Sequence, residues 1–241
     1  IPTVPKERRI RPIHIWQSAA AILFLLLASS VYLSTVGTKA ETDLLQQYIP
    51  IAEMRSLTLP DGTKVQLNSK STLLYPHEFT GDSRSVFLLG EANFKVKPDK
   101  KRPFIVKSND LQITALGTEF NVSAYPESQE IATTLISGSI RVDYNNLTTS
   151  VILHPNEQFA YNRNNKKYDL SNPDMDDVTA WQRGELVLQK MTLTDIINVL
   201  ERKYPYAFVY SIKNLKNDRF SFRFKDNAPL EEVMEIIVNV V

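Results

Sequence analysis

Apolar and polar positions along this chain fall into three successive textures. From Pro12 to Thr38 there is no Asp, Glu, Lys or Arg, and Ala19–Ala28 (AAAILFLLLA) is apolar without interruption. From Met54 onward, short runs of alternating apolar and polar residues recur roughly every ten positions, with turn residues between them. They are Ser56–Leu59, Lys64–Leu67, Val86–Leu89, Asn93–Val96, Phe104–Lys107, Gln112–Ala115, Phe120–Ala124, Ile131–Ile136, Ser139–Tyr144, Val151–Leu153 and Gln158–Tyr161. Period two without an intervening helical period predicts an all-β domain, solenoid-like or sandwich-like. Past Pro173 the pattern becomes a weak internal repeat. A strand at Glu185–Gln189 precedes a helix at Leu193–Lys203, and a strand at Phe220–Lys225 precedes a helix from Leu230. Leu193, Ile196, Ile197 and Leu200 correspond to Leu230, Val233, Met234 and Ile237, each set forming one apolar helix face. Thr192 and Asn227 read as N-caps, Pro229 as a first-turn residue and Ala207–Tyr210 as a third strand.

The first texture predicts a transmembrane helix over 13–36. Ile15 to Val36 as helix would measure about 33 Å, close to the roughly 30 Å of a bilayer's hydrocarbon. Trp16 and Tyr32 stand near its ends, and Lys6, Arg8, Arg9 and Arg11 crowd the N-terminal side. The positive-inside rule then assigns residue 1 to the cytoplasm and residues 39–241 to the far side of the inner membrane. The expected order is a cytoplasmic juxtamembrane segment 1–12, the transmembrane helix 13–36, a connector 37–53, the all-β domain 54–170 and an α+β domain of βαβ–βα character over 171–241. Further chain is expected at both ends.

Charge and composition remove several function classes. Twenty-eight Lys and Arg against 27 Asp and Glu give a net charge of +1, without the basic excess of a nucleic-acid binder. With no cysteine, thiolate metal sites, disulfides and a cysteine nucleophile are excluded. His14, His77 and His154 lie on separate segments, and Asp61, Glu91 and Glu119 are scattered carboxylates, so neither a metal site nor an acid–base pair is indicated. There is no phosphate-binding glycine loop and no nucleophile elbow. The chain therefore reads as a non-enzyme without a cofactor. The densest charge run, Lys95, Lys97, Lys100, Lys101, Arg102 and Lys107, reads as a solvated hairpin tip, the alternative being a patch that contacts an acidic partner face or an anionic envelope polymer.

Several motifs resemble the FecR periplasmic domain family across residues 55–160. They are Leu59-Pro60-Asp61-Gly62-Thr63, Leu67–Ser71 with Leu74-Tyr75-Pro76, Leu89-Gly90-Glu91-Ala92-Asn93-Phe94, and Leu116-Gly117-Thr118-Glu119-Phe120-Asn121-Val122. Asn93 replaces an aromatic and Asn156 a glycine of the family pattern, and Asn tolerates a left-handed backbone. Trp181-Gln182-Arg183-Gly184-Glu185-Leu186 resembles the entry to the Bacteroidetes-type C-terminal domain of such proteins, which is similar to the secretin/TonB short N-terminal (STN) module. The resemblance implies a membrane-spanning anti-sigma factor in the bacterial inner membrane. Its partners would be the periplasmic signalling domain of a TonB-dependent outer-membrane transporter and, through a preceding segment, a cytoplasmic ECF sigma factor. Pro60, Asp61, Gly62, Gly90, Glu91, Gly117, Thr118, Phe120, Asn121, Trp181 and Gly184 are expected to specify the fold. Tyr210, Phe220, Phe222, Arg223 and Phe224 are expected to offer a sheet edge to the partner. The competing reading is a passive binder of envelope polysaccharide or peptidoglycan.

Overall fold

The computed structural model describes residues 12–37, 43–210, 218–225 and 228–241. Its contacts divide the chain into two compact units, 1–42 and 43–241. The first contains helix α1 (Pro12–Gly37), in which the described side chains, Trp16 and residues 21–32, are all exposed. Among the described residues no helix is long and apolar enough to cross a membrane. The expected transmembrane helix is corrected accordingly.

The second unit is dominated by one curled sheet of 13 strands. In chain order these are β1 (Leu44–Tyr48), β2 (Arg55–Thr58), β3 (Lys64–Leu67), β4 (Thr72–Pro76), β5 (Arg84–Lys95), β6 (Phe104–Ser108) and β7 (Leu111–Ala115). They continue with β8 (Glu119–Ala124), β9 (Glu130–Ser137), β10 (Ile140–Tyr144), β11 (Thr149–Leu153), β12 (Gln158–Asn162) and β13 (Tyr168–Ser171). β1 lies inside the stretch read as a connector: it pairs with β4, and Ile49 just after it is fully buried.

β5 explains why the sheet is neither a solenoid nor two separate layers. The two short runs read from the sequence are one strand of 12 residues. Its first half pairs with β4 and β6, and its second half with β3 and β8. A straight strand of that length would hold its ends roughly 36 Å apart. Yet Arg84, the first residue, donates from Nη1 to the carbonyl of Lys97, two residues past the last, at 2.8 Å. The strand is therefore folded back on itself, and the whole sheet curls with it. The bend centres on Gly90, whose φ is +101° and where a Cβ would lie 2.7 Å from Ser71 Cα. Only glycine fits there, because both the left-handed backbone and the approach of Ser71, just before β4, forbid a side chain. The curl encloses one apolar core that includes Leu67, Leu88, Phe94, Phe104, Phe120 and Phe159.

After the sheet come helix α2 (Met175–Thr179), a 3-10 turn (Ala180–Arg183), β14 (Leu186–Met191), α3 (Leu193–Lys203), β15 (Phe220–Phe224) and α4 (Leu230–Val240). The strand–helix repeat is present, and the matched apolar faces build a second, separate core of Leu193, Ile196, Ile197, Leu200, Val233 and Ile237 under Leu188, Phe222 and Phe224. Thr192 caps α3 by accepting from Asp195 N–H. Asn227 lies outside the described residues, and Pro229 takes the cap position of α4.

The expected βαβ–βα order is corrected to β–α–β–α with a sheet of two antiparallel strands. Ala207–Tyr210 is not a strand. The Phe208 N–H donates to the Glu201 carboxylate at 3.3 Å instead of to a neighbouring strand, while Phe208 itself packs on the module core. The expected order of membrane helix, solenoid or sandwich, and STN-like module is thus replaced by a mostly β unit with few helices.

Candidate functional site

Period two gives the curled sheet an inner and an outer face. Inner positions of β5 are Arg84, Val86, Leu88, Ala92 and Phe94; outer positions are Phe87, Leu89, Glu91, Asn93 and Lys95. The outer face is apolar along the first half of β5 and polar along the second. In the polar half, register lines up Gln66, Asn93, Asn121, Thr134, Gln158 and Ser171 in one row across six strands. Onto this row docks the module that contains β14, β15, α3 and α4.

The docking contacts are polar and specific. Glu91 accepts from Asn68 Nδ2 at 2.8 Å and from Asn121 Nδ2 at 3.0 Å. With its amide nitrogen turned to Glu91, Asn121 presents Oδ1 to the indole N–H of Trp181 at 3.2 Å. Gln66 donates weakly to the Gln182 carbonyl at 3.5 Å. Burial pushes the Glu91 carboxyl above the ordinary carboxylate range, and the two amide bonds and the Arg202 charge oppose that rise.

The second contact is built on Arg202, buried at the end of α3. Its guanidinium lies 3.8 Å from the centroid of the Tyr125 ring and pairs with Glu127 at 2.6 Å. Its own carbonyl accepts from Ala52 N–H at 3.0 Å. Tyr125 is held in turn by donating to the Ser69 carbonyl at 2.9 Å. Arg163 steadies the 125–128 loop, with Nη1 at 3.0 Å from each of the carbonyls of Tyr125, Pro126 and Ser128. Beside these contacts a cleft of about 1420 Å³ separates the polar row from the module, with Asn121, Thr134 and Gln158 on its floor. Glu130 at its edge is also raised, first by burial and further by the charges of Asp195 and Asp169, against Arg219.

The motif residues divide between core and joint. Asp61 accepts from Thr63 N–H at 2.9 Å and from buried Arg84 at 2.7 Å, in the turn with Pro60 and Gly62. Phe120 stacks on Phe94 at 5.4 Å in the core, while Gly117 packs against Pro98 and Thr118 is buried beside Gly138. Glu91, Asn121 and Trp181 meet at the joint, and Gly184 ends the 3-10 turn and accepts from Lys203.

Of the residues expected at a partner edge, Phe222 and Phe224 are buried in the module core and Phe220 packs against it. Arg223 joins Asp176, Asp177 and Glu185. Tyr210 is exposed, outside any strand. Among the described residues β14 and β15 pair only with each other, so each has an open edge. Arg202, Glu127, Tyr125 and Arg163 were not singled out from the sequence. Arg202 and Glu127 are 75 residues apart, and no local pattern marks either. Among the described residues no group of three His, Cys, Asp or Glu is placed to hold a metal ion.

Comparison with known proteins meets this geometry at both modules. The family model described as FecR protein matches residues 49–141, and that described as FecR, C-terminal, matches residues 185–240. Two crystal structures of a candidate anti-sigma factor from Parabacteroides distasonis ATCC 8503 are similar to this chain. One is 35% identical with a TM-score of 0.78, covering 83% of this chain and 92% of the other. The second is 34% identical with a TM-score of 0.77, covering 82% and 92%. No curated protein matches this chain.

Proposed function

This chain belongs to the FecR family of signal-transducing anti-sigma regulators, and from that membership we propose that it relays the state of a TonB-dependent outer-membrane transporter to a cytoplasmic ECF sigma factor. In this reading residues 43–241 occupy the periplasm, act without catalysis and work by protein–protein contact. The α+β module is the receiving end, with the transporter's signalling domain added at an open edge of the β14–β15 sheet. The curled sheet is the platform on which that module rests. The observation that carries the reading is the family match at both modules, with 35% identity to the candidate anti-sigma factor over most of the chain.

The test is a titration of residues 43–241, which contain both cores, with the isolated signalling domain of the transporter encoded beside this protein. Saturable one-to-one binding that disappears when residues 171–241 are removed is the expected result. Absence of binding by the folded fragment overturns the relay.

A further inference from the structure

We propose that the α+β module is held on the polar half of the sheet by a releasable latch, in which Arg202 is the bolt and Tyr125 with Glu127 the keeper. The two modules keep their apolar residues to themselves: the core of the sheet and the core of the α+β module share no side chain. The polar contacts that join them form a short set. These are Arg202 to Glu127 and Tyr125, Ala52 to the Arg202 carbonyl, Trp181 to Asn121 and the weak bond from Gln66 to Gln182.

The fit is incomplete. The Asn93 side-chain nitrogen, on a residue 6% exposed, and that of Gln182 find no hydrogen-bond partner among the described residues. An orphaned buried donor costs about as much as a formed bond returns, so this interface is held by a narrow margin. The cleft of about 1420 Å³ beside the contacts leaves the facing surfaces unpacked over much of their extent. Such an interface resembles a transient one between proteins more than a domain interior, and relative motion is its ordinary behaviour.

Position makes Arg202 decisive. It sits in the last turn of α3, whose other face lines the module core, so a displacement of the module carries the guanidinium with it. Glu127 and Tyr125 ride on the loop that Arg163 fixes to the sheet. The bolt thus belongs to the α+β module and the keeper to the curled sheet. Release uncovers the row Gln66, Asn93, Asn121, Thr134 and Gln158, an amide-rich surface that the closed form covers at its Trp181 end. The inference rests on the relay reading for its purpose, but the distance measurement below reads the latch alone and the transporter titration reads the partner alone.

The chain has no cysteine, so two introduced ones take spin labels without interference. Ile152 in β11 and Val238 in α4, the sites for Ile152→Cys and Val238→Cys, are exposed and take no part in the contacts of the joint. In the whole 241-residue chain, pulsed electron resonance is expected to give one narrow distance for the doubly labelled parent. Arg202→Ala is expected to add a population at other distances, at least several-fold above the parent. Glu127→Gln, on a surface loop and therefore harmless to either core, is expected to do the same. Combining the two is expected to add nothing to Arg202→Ala alone, since Glu127 acts through Arg202. If either variant, shown folded by circular dichroism, keeps the parent's single narrow distance, the latch is overturned. Additive broadening in the double variant overturns the pairing of Arg202 with Glu127.

Discussion

Arg84 and Asp61 meet at 2.7 Å with their side chains 1% and 4% exposed, a buried ion pair at the point where the folded β5 closes on itself. Arg84 also donates to the carbonyls of Lys97 and Arg102, and Asp61 also accepts from the backbone and hydroxyl of Thr63. The pair therefore ties the Pro60-Asp61-Gly62 turn, the start of β5 and the loop after it into one knot. Removing either partner leaves the other charge buried and alone. Arg84→Ala and Asp61→Ala are each expected to cost about 3–5 kcal/mol. The double variant is expected to cost much less than their sum. Urea unfolding of the four proteins measures this, and additive costs would refute the coupling.

Gly90 carries the bend. Gly90→Ala combines a φ of +101° with a Cβ 2.7 Å from the Ser71 backbone, and it is expected to cost about 3 kcal/mol or more. Gly81 has no atom within 4 Å of the same hypothetical Cβ, so Gly81→Ala is expected to stay within about 0.5 kcal/mol of the parent. Thermal melts of the pair separate a bend requirement from a general preference for glycine.

Glu91 gives the joint an acid-side signature. Its carboxyl is raised above the ordinary 4.5, so the folded protein holds that proton more tightly than the unfolded chain. The resulting contribution to stability is complete below the ordinary value and is lost as pH rises through the raised one. Glu91→Gln cannot titrate and is expected to flatten stability against pH in that window. Denaturant midpoints from pH 4 upward (roughly where an ordinary carboxyl begins to ionise) test the sign: a wild type that gains stability over the window relative to Glu91→Gln would contradict it.

Arg223 anchors α2 to the small sheet through Asp176, Asp177 and Glu185. All four groups are exposed or half-exposed, so solvent and salt screen them. Arg223→Ala is expected to lower the melting temperature by no more than a few degrees at low ionic strength and by less in concentrated salt. A loss that grows with salt would show that Arg223 acts by packing instead.

Local pattern made much of this architecture legible. Lys64–Leu67 alternates strictly and is a strand with one buried face; Gln158–Tyr161 is a strand as well, with Phe159, Ala160 and Tyr161 all buried. The paired helices with their i, i+3, i+4 faces follow from the same reasoning, as does the Thr192 cap. Asn156, standing where a glycine is usual, has a φ of +70°. Where the reading failed, locality was the reason. β1 and β13 are edge strands with much of each exposed, so alternation is faint in both. β5 seemed two strands because Gly90 and Glu91 interrupt the apolar run, although the ladder continues through them.

The sequence by itself determined which residues turn inward, since the period of side-chain direction is a property of each strand or helix alone. It likewise determined the turn that needs Gly62, because a positive φ is a local steric matter. Only the tertiary structure decided that β5 serves both halves of one curled sheet, because the choice of neighbouring strand is made by register and core packing across the chain. Only it decided that the polar outer row is covered by the α+β module, with Arg202 against a loop 75 residues away. An outward polar residue looks the same in sequence whether it meets water or another module; burial and a hydrogen-bond partner, both long-range, tell them apart.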